Sequence, residues 1–423
     1  MHPTQWAVSR AEHPAIIMAP SGEQMDYAAL DAFSNRGAQL FRALGFATGD
    51  VVAIWSDNRI DYLPVCWAAE RAGLAFVPVS SRLKAAEALY ILRDAGARAL
   101  ILSAGIGAEA LDLVREVVAA DPAFPLFTLG GFLPGCQSWD AAVEAMPAIP
   151  IGGEAPGRPM LYSSGTTGRA KGIVHSRRAG TILDEHPYEL WFRDFYSFGD
   201  DSVFLSPAPL YHAAPLLFSL TVHRMGGTVV VMERFDAEQC LALIARHRVT
   251  HAQLVPTMFV RLLRLPLEVR NAYDLSSLRA IVHAGSPCPV DVKQGMIEWL
   301  GPIIHEYYGA SEGFGRTCIG PDEWLERPGS VGRATQGVLR LCDEEGREVG
   351  AGETGHVDAE GYLYLTDRHA FTIISGSVNI YPQEAEDILS GHPLVADAAV
   401  FGVPRPRNGR SGGRSGGAGC ECA

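Results

Sequence analysis

The chain has 423 residues, 48% of them hydrophobic and 20% charged, which is apolar material enough for more than one packed core. A formal net charge of -13 argues against a nucleic-acid partner, because phosphate contacts are made mainly by lysine and arginine. No apolar run is long enough for a transmembrane segment, and Met1–Val8 lacks the basic-then-apolar order of a secretory signal. In chain order, Tyr27, Leu30, Phe33, Leu40 and Phe41 keep a helical stripe that Gly45 stops. Val51–Trp55 reads as a buried strand, followed by an alanine-rich helix to about Arg71 and the strand Ala75–Val79. A helix over Ala85–Ala95 and the strand Ala99–Leu102 continue the alternation, which predicts a parallel α/β sheet. The Pro- and Gly-punctuated stretch from Pro122 to Pro159 reads as a long connection between layers.

Beyond it the rhythm returns, with strands at Ser202–Leu205, Gly227–Met232, Thr250–Val255 and Leu278–Val282 and a helix over Ala237–His247. This order predicts a large N-terminal α/β domain of doubly wound mixed sheets, in which ligands gather beyond the carboxyl ends of strands. The last part is shorter and more antiparallel in character: Gly361–Leu365, Phe371–Ile374, then a helix near Gln383–Leu389, as expected of a truncated small α+β domain. Cys66, Cys136, Cys240, Cys288, Cys318 and Cys342 are scattered without zinc spacing and read as reduced thiols of a cytoplasmic protein.

The most informative segment is Leu161–His175. Apolar residues run into Ser163, Ser164, Gly165, Thr166, Thr167 and Gly168, then Lys171, then a second apolar run. Small residues let backbone N–H groups turn toward an anion, hydroxyls add donors and the lysine adds a mobile positive charge, a combination suited to a polyphosphate. Walker spacing does not fit, because Gly172 follows Lys171 where a magnesium-binding hydroxyl is required. The plainer alternative is a flexible Ser/Gly surface turn. Further loops follow strands. Ala284-Gly285-Ser286-Pro287 is small enough for a flat ring to slide against backbone. Tyr307-Tyr308-Gly309-Ala310-Ser311-Glu312 offers a stacking aromatic, a close-approach glycine, a hydroxyl and a carboxylate able to hold Mg²⁺. Thr366-Asp367-Arg368 offers a carboxylate and a guanidinium for ribose or phosphate.

In this order the segments resemble the AMP-forming acyl-activating superfamily, which includes acyl-CoA synthetases, firefly luciferase and nonribosomal-peptide adenylation domains. Tyr162–Gly172 is similar to the family's phosphate signature, Tyr308–Glu312 to its Tyr-Gly-x-Thr/Ser-Glu motif and Gly361–Pro382 to its hinge region. The resemblance implies that Ser163, Ser164, Gly165, Thr166, Thr167, Gly168 and Lys171 cradle the phosphates of ATP. Glu312 would hold magnesium, and Ser311 would touch the phosphate bonded to the substrate. Gly285, Ser286, Pro287, Tyr308 and Gly309 would frame the adenine, and Arg368 would face the ribose. Thr167, Lys171, Ser311, Glu312 and His212 are the catalytic candidates. His212 would sit near the acyl pocket, with a packed core histidine as the alternative. The implied partners are a carboxylic acid, ATP and coenzyme A, without nucleic acid. Trp191, Phe192, Phe195, Phe204, Leu216, Leu217 and Phe218 are apolar enough for a fatty, aromatic or sterol-type acid, or equally for core packing.

Two departures from the family pattern stand out. Gly352-Glu353-Thr354-Gly355 runs directly into His356-Val357-Asp358, so the intervening family segment, with an aspartate that grips the ribose, has no counterpart; Asp358 matches a later family position. After Pro404 the likeness gives way to an Arg/Gly/Ser sequence without apolar period, expected to be disordered. The expected organisation is a large domain over 1–366, a partial small domain over 367–404, without the family's adenylation lysine, and a tail from 405 to 423. An acid-activating ligase is the leading reading. The alternatives are a nucleotide- or acyl-binding remnant and a damaged gene product.

Overall fold

A computed structural model of the chain describes residues 2–163, 170–313, 315–342, 347–348, 351–352 and 355–365, with short pieces at 373–375, 378–380, 389, 402–403 and 417–418. Two compact units are distinguished: Met1–Gln253 with Asp274–Ala280, and Leu254–Tyr273 with Ile281–Ala423. The expected boundary at 366/367, the helix near Gln383–Leu389 (Leu389 apart) and nearly all of the tail fall outside the described residues.

In the first unit, strands β1 (Pro14–Ala19) and β2 (Gln24–Asp26) form a hairpin that leads into helix α1 (Tyr27–Ala43). Asp26 caps α1 by accepting from the Ala29 N–H at 2.7 Å, and Tyr27, Leu30, Ser34, Ala38 and Phe41 bury the helix face. Strand β3 (Val51–Trp55), helix α2 (Tyr62–Arg71), strand β4 (Ala75–Val79), helix α3 (Ala85–Asp94) and strand β5 (Leu100–Ser103) follow within a residue or two of the pattern. All pairings here are parallel: β3 lies between β4 and β5, with Ala53 opposite Val77 and Leu100. The strands are nearly all buried because helices cover the sheet, which is why they read as continuous apolar runs.

The stretch Pro122–Pro159 corrects the sequence reading. It is not simply a connection: it contains strand β6 (Leu126–Leu129), parallel to β5, and helix α5 (Trp139–Glu144), which come after helix α4 (Ala108–Ala120). A four-residue strand between prolines and glycines is too short for its period to register. The fully buried Trp139 explains α5, since its ring packs 5.6 Å from Phe41 and 5.5 Å from Phe127.

A short hairpin then joins β7 (Leu161–Ser163) to β8 (Lys171–Ile173). After helix α6 (Pro187–Tyr196) come strand β9 (Val203–Ser206), helix α7 (Ala213–Met225), strand β10 (Thr228–Met232), helix α8 (Ala237–His247) and strand β11 (His251–Leu254). In this sheet β9 pairs in parallel with β10 and β11, and β10 with β1.

The second unit holds helix α9 (Pro256–Leu263), strand β12 (Ala280–His283), helix α10 (Val290–Leu300) and strand β13 (Ile304–Gly309), parallel to β12. From there the sheet turns antiparallel, well before Gly361, where the sequence pattern placed that change. β14 (Arg316–Ile319) pairs with β13, β15 (Ser330–Gln336) with β14, and β18 (Tyr362–Leu365) with β15. β17 (Gly355–Val357) lies between β18 and β16 (Ala351–Gly352). No helix among the described residues is long and apolar enough to cross a membrane.

Candidate functional site

In the first unit, β7 and β8 pair antiparallel, with Lys171 opposite Ser163, Gly172 opposite Tyr162 and Ile173 opposite Leu161. The hairpin presents Lys171 to solvent. Ser164, Gly165, Thr166, Thr167 and Gly168 lie outside the described residues, as does the side chain of Ser163. The flanking apolar runs are strands, as the pattern requires.

His212 precedes α7 in extended backbone (φ -81°, ψ 149°) without capping the helix through its side chain. It is exposed, with its ring centroid 4.6 Å from that of Tyr211, so it is not the packed core histidine that the sequence left as an alternative. Loss of surrounding water, with the Arg82 charge added, lowers its pKa and favours the neutral imidazole. The aromatic residues proposed for an acyl pocket divide. Trp191, Phe192, Phe204 and Phe218 form a buried cluster with Tyr196 and Phe198; Phe192 and Phe218 are 4.3 Å apart. Phe195 is exposed. Most of this apolar signal is therefore core packing.

In the second unit, parallel register brings two of the predicted loops together. His283 pairs with Glu306, so Ala284–Pro287 and Tyr307–Gly309 emerge side by side toward the carboxyl ends of β12 and β13. Gly285 has φ +94°, a conformation open to glycine and costly for other residues. Ser286 and Pro287 are exposed, and Tyr308 as a residue is 48% exposed, consistent with a ring open to stacking. Ser311 and Glu312 occupy the turn closed by the Gly313 N–H donating to the Ala310 carbonyl at 3.0 Å. Glu312 is exposed, and no group of three potential metal ligands occurs among the described residues. That donor set does not cage an ion, but it fits Mg²⁺ held largely by phosphates and water with one carboxylate.

Beneath these loops lies a polar cluster that the motifs did not reveal. Lys293 of α10 is fully buried and donates to Glu306 Oε2 at 2.7 Å, with its ammonium 4.7 Å from the centre of the Trp324 ring. Burial lowers the Lys293 pKa and raises that of Glu306, while the attraction within the pair opposes both shifts. His283 Nε2 is 3.4 Å from the same carboxylate oxygen, and burial, then Lys293, then His305, holds that imidazole well below its ordinary pKa. A signal was present: Lys293 shares the buried stripe of α10 with Met296 and Ile297, a place where an unpaired lysine is costly.

Asp358 accepts from the N–H groups of Glu360 and Tyr362, each at 2.9 Å, which gives it a turn-closing role between β17 and β18. Arg368 lies outside the described residues.

The profile of a family described as AMP-binding enzyme matches residues 4–365. Long-chain-fatty-acid–CoA ligase FadD13 of Mycobacterium tuberculosis is 29% identical, covering 92% of this chain and 82% of that protein. Feruloyl-CoA synthase of an Amycolatopsis species is 31% identical over 96% of this chain and 87% of that protein. The crystal structure of ATP-bound MatB from Rhodopseudomonas palustris matches with a TM-score of 0.75 at 26% identity, covering 96% of this chain and 86% of that one.

Proposed function

The chain belongs to the AMP-binding enzyme family, and from that premise we propose that it activates an apolar carboxylic acid with ATP, through an acyl-adenylate, to a coenzyme A thioester. In the first half-reaction a carboxylate oxygen attacks the α-phosphorus of ATP, and the bond from that phosphorus to pyrophosphate breaks. In the second, the thiol sulfur of coenzyme A attacks the acyl carbon and gives up its proton, and AMP departs with the electrons of the acyl–oxygen bond. Both steps need positive charge near the phosphoryl oxygens and in-line placement of the reactants.

Lys171, displayed at the root of the hairpin, supplies that charge. Gly285, Ser286, Pro287, Tyr308 and Gly309 hold the adenine between backbone and ring, Ser311 touches the acyl phosphate, and Glu312 holds Mg²⁺, which when bound neutralises phosphate charge. Neutral His212 sits beside the acid. The observation that carries the reading is the parallel register that brings Gly285 and Tyr308 to the same ends of adjacent strands, where such sheets bind ligands. An apolar acid is favoured because the names of two relatives specify long-chain fatty and feruloyl acyl groups, both largely apolar. Use of ATP and coenzyme A favours a cytoplasmic setting.

ATP–pyrophosphate exchange with a panel of fatty, aromatic and sterol-type acids tests the proposal: acid-dependent exchange supports it. A second reading, a nucleotide- or acyl-binding protein without turnover, is favoured by the direct passage from Gly355 to Asp358 without the family's ribose-gripping aspartate. Calorimetric binding of ATP with no exchange for any acid would decide for that reading.

A further inference from the structure

We propose that Tyr90 and Asp94 of α3 are positioning residues for Lys171, holding both sides of the hairpin that carries it. The inference rests on Lys171 being a phosphate-binding residue. The two side chains are four residues apart and so lie one above the other on a single face of α3. The Tyr162 hydroxyl of β7 donates to Asp94 Oδ2 at 2.6 Å. The Tyr90 hydroxyl is 3.2 Å from the carbonyl oxygen of Ala170 and 3.5 Å from Asp94 Oδ1, so its single proton goes to the nearer carbonyl. One bond thus reaches the incoming strand, and the other reaches the residue immediately before Lys171.

The hairpin needs such anchors. It is a two-stranded sheet of three residues a side, too little ladder to hold a fixed position by itself. Gly172 makes the contact sterically feasible: a Cβ there would lie 3.0 Å from both Cζ and the hydroxyl oxygen of Tyr162, so the ring lies across the glycine on its way to α3. Burial, then the bond to Asp94, raises the Tyr162 pKa and keeps its hydroxyl protonated as a donor. The helix is a firm base, because Ala88, Ile91 and Leu92 are buried and the Ala85 N–H donates to Glu109 at 2.8 Å. Its outer face borders a depression of about 540 Å³ lined by Ala86, Leu89, Tyr90, Arg93 and Asp94. Removing only the Tyr90 hydroxyl, whose ring packs against the core and is kept, or trimming exposed Asp94 removes a bond without opening a core cavity.

The test titrates Mg-ATP and, separately, adenosine into the full chain and its Y90F, D94A, D94N, Y162F and K171A variants, with thermal midpoints recorded. Y90F, D94A and Y162F are each expected to weaken ATP by about three- to tenfold, the effect of one lost hydrogen bond, while adenosine affinity stays within about twofold. D94N keeps an acceptor for Tyr162 and is expected to restore ATP affinity to within about threefold of the parent. ATP affinity unchanged in Y90F, D94A and Y162F, with K171A at least tenfold weaker, would overturn the inference and leave the role of Lys171 intact. Equal loss of ATP and adenosine would also overturn it, by revealing general damage. No loss in K171A would remove the phosphate role of Lys171, and the inference with it.

Discussion

Replacing Lys293 with methionine removes the cation from a buried pair while nearly preserving side-chain volume. In the native protein Lys293 Nζ sits 2.7 Å from Glu306 Oε2, with both side chains buried. Without the ammonium, the least costly response is for Glu306 to take up one proton, because burial disfavours the charged form of His283, whose Nε2 is 3.4 Å from the carboxylate. An ordinary glutamate titrates near 4.5, so holding a proton on Glu306 at pH 7 costs about 3.4 kcal/mol at about 1.36 kcal/mol per pH unit. That figure agrees with the roughly 3–5 kcal/mol found when one partner of a buried pair is removed. At pH 5 the same proton costs only about 0.7 kcal/mol. The sign follows from proton counting: the folded variant carries a proton that the unfolded chain lacks, so its stability relative to the parent falls as pH rises above 4.5. His305 and Cys288, the other titratable groups felt by or feeling Lys293, remain in both proteins. Urea unfolding of parent and K293M at both pH values measures the effect. A destabilisation near 3 kcal/mol at pH 7 that shrinks to about 1 at pH 5 is expected. Equal destabilisation at the two pH values would refute the argument.

Further perturbations have defined outcomes. Gly285→Ala, forced to φ +94°, should destabilise by about 1–2 kcal/mol and weaken ATP binding, as read by urea unfolding and calorimetry. Tyr308→Ala should cost nucleotide binding about 1–3 kcal/mol through lost base stacking, while pyrophosphate affinity is unchanged. Arg71→Met should destabilise by about 3 kcal/mol in thermal or urea unfolding, because fully buried Arg71 pairs with both Asp31 and Glu154.

The legibility of the sequence depended on length and period. Helix α1 was readable because Tyr27, Leu30 and Phe41 repeat at helical spacing, and β3 to β5 because buried parallel strands are unbroken apolar runs. Strand β6 and helix α5 were not, since four- and six-residue elements between Gly and Pro carry too few repeats. The loops proposed to frame the base were legible from residue type, but their adjacency came from the β12–β13 register, which no single segment encodes. Lys293 and Asp94 were invisible to motif reading because each acts through a partner distant in sequence: Glu306, and Tyr162 sixty-eight positions away. The aromatic run from Trp191 to Phe218 looked equally suited to pocket and core, and the packing of Phe192 on Phe218 resolves most of it as core.

The most direct measurement is ATP–pyrophosphate exchange by the full chain, with K171A alongside, across fatty, aromatic and sterol-type carboxylic acids. Acid-dependent exchange that disappears in K171A is the predicted result. No exchange with any acid, whether or not Mg-ATP binds, would contradict the account.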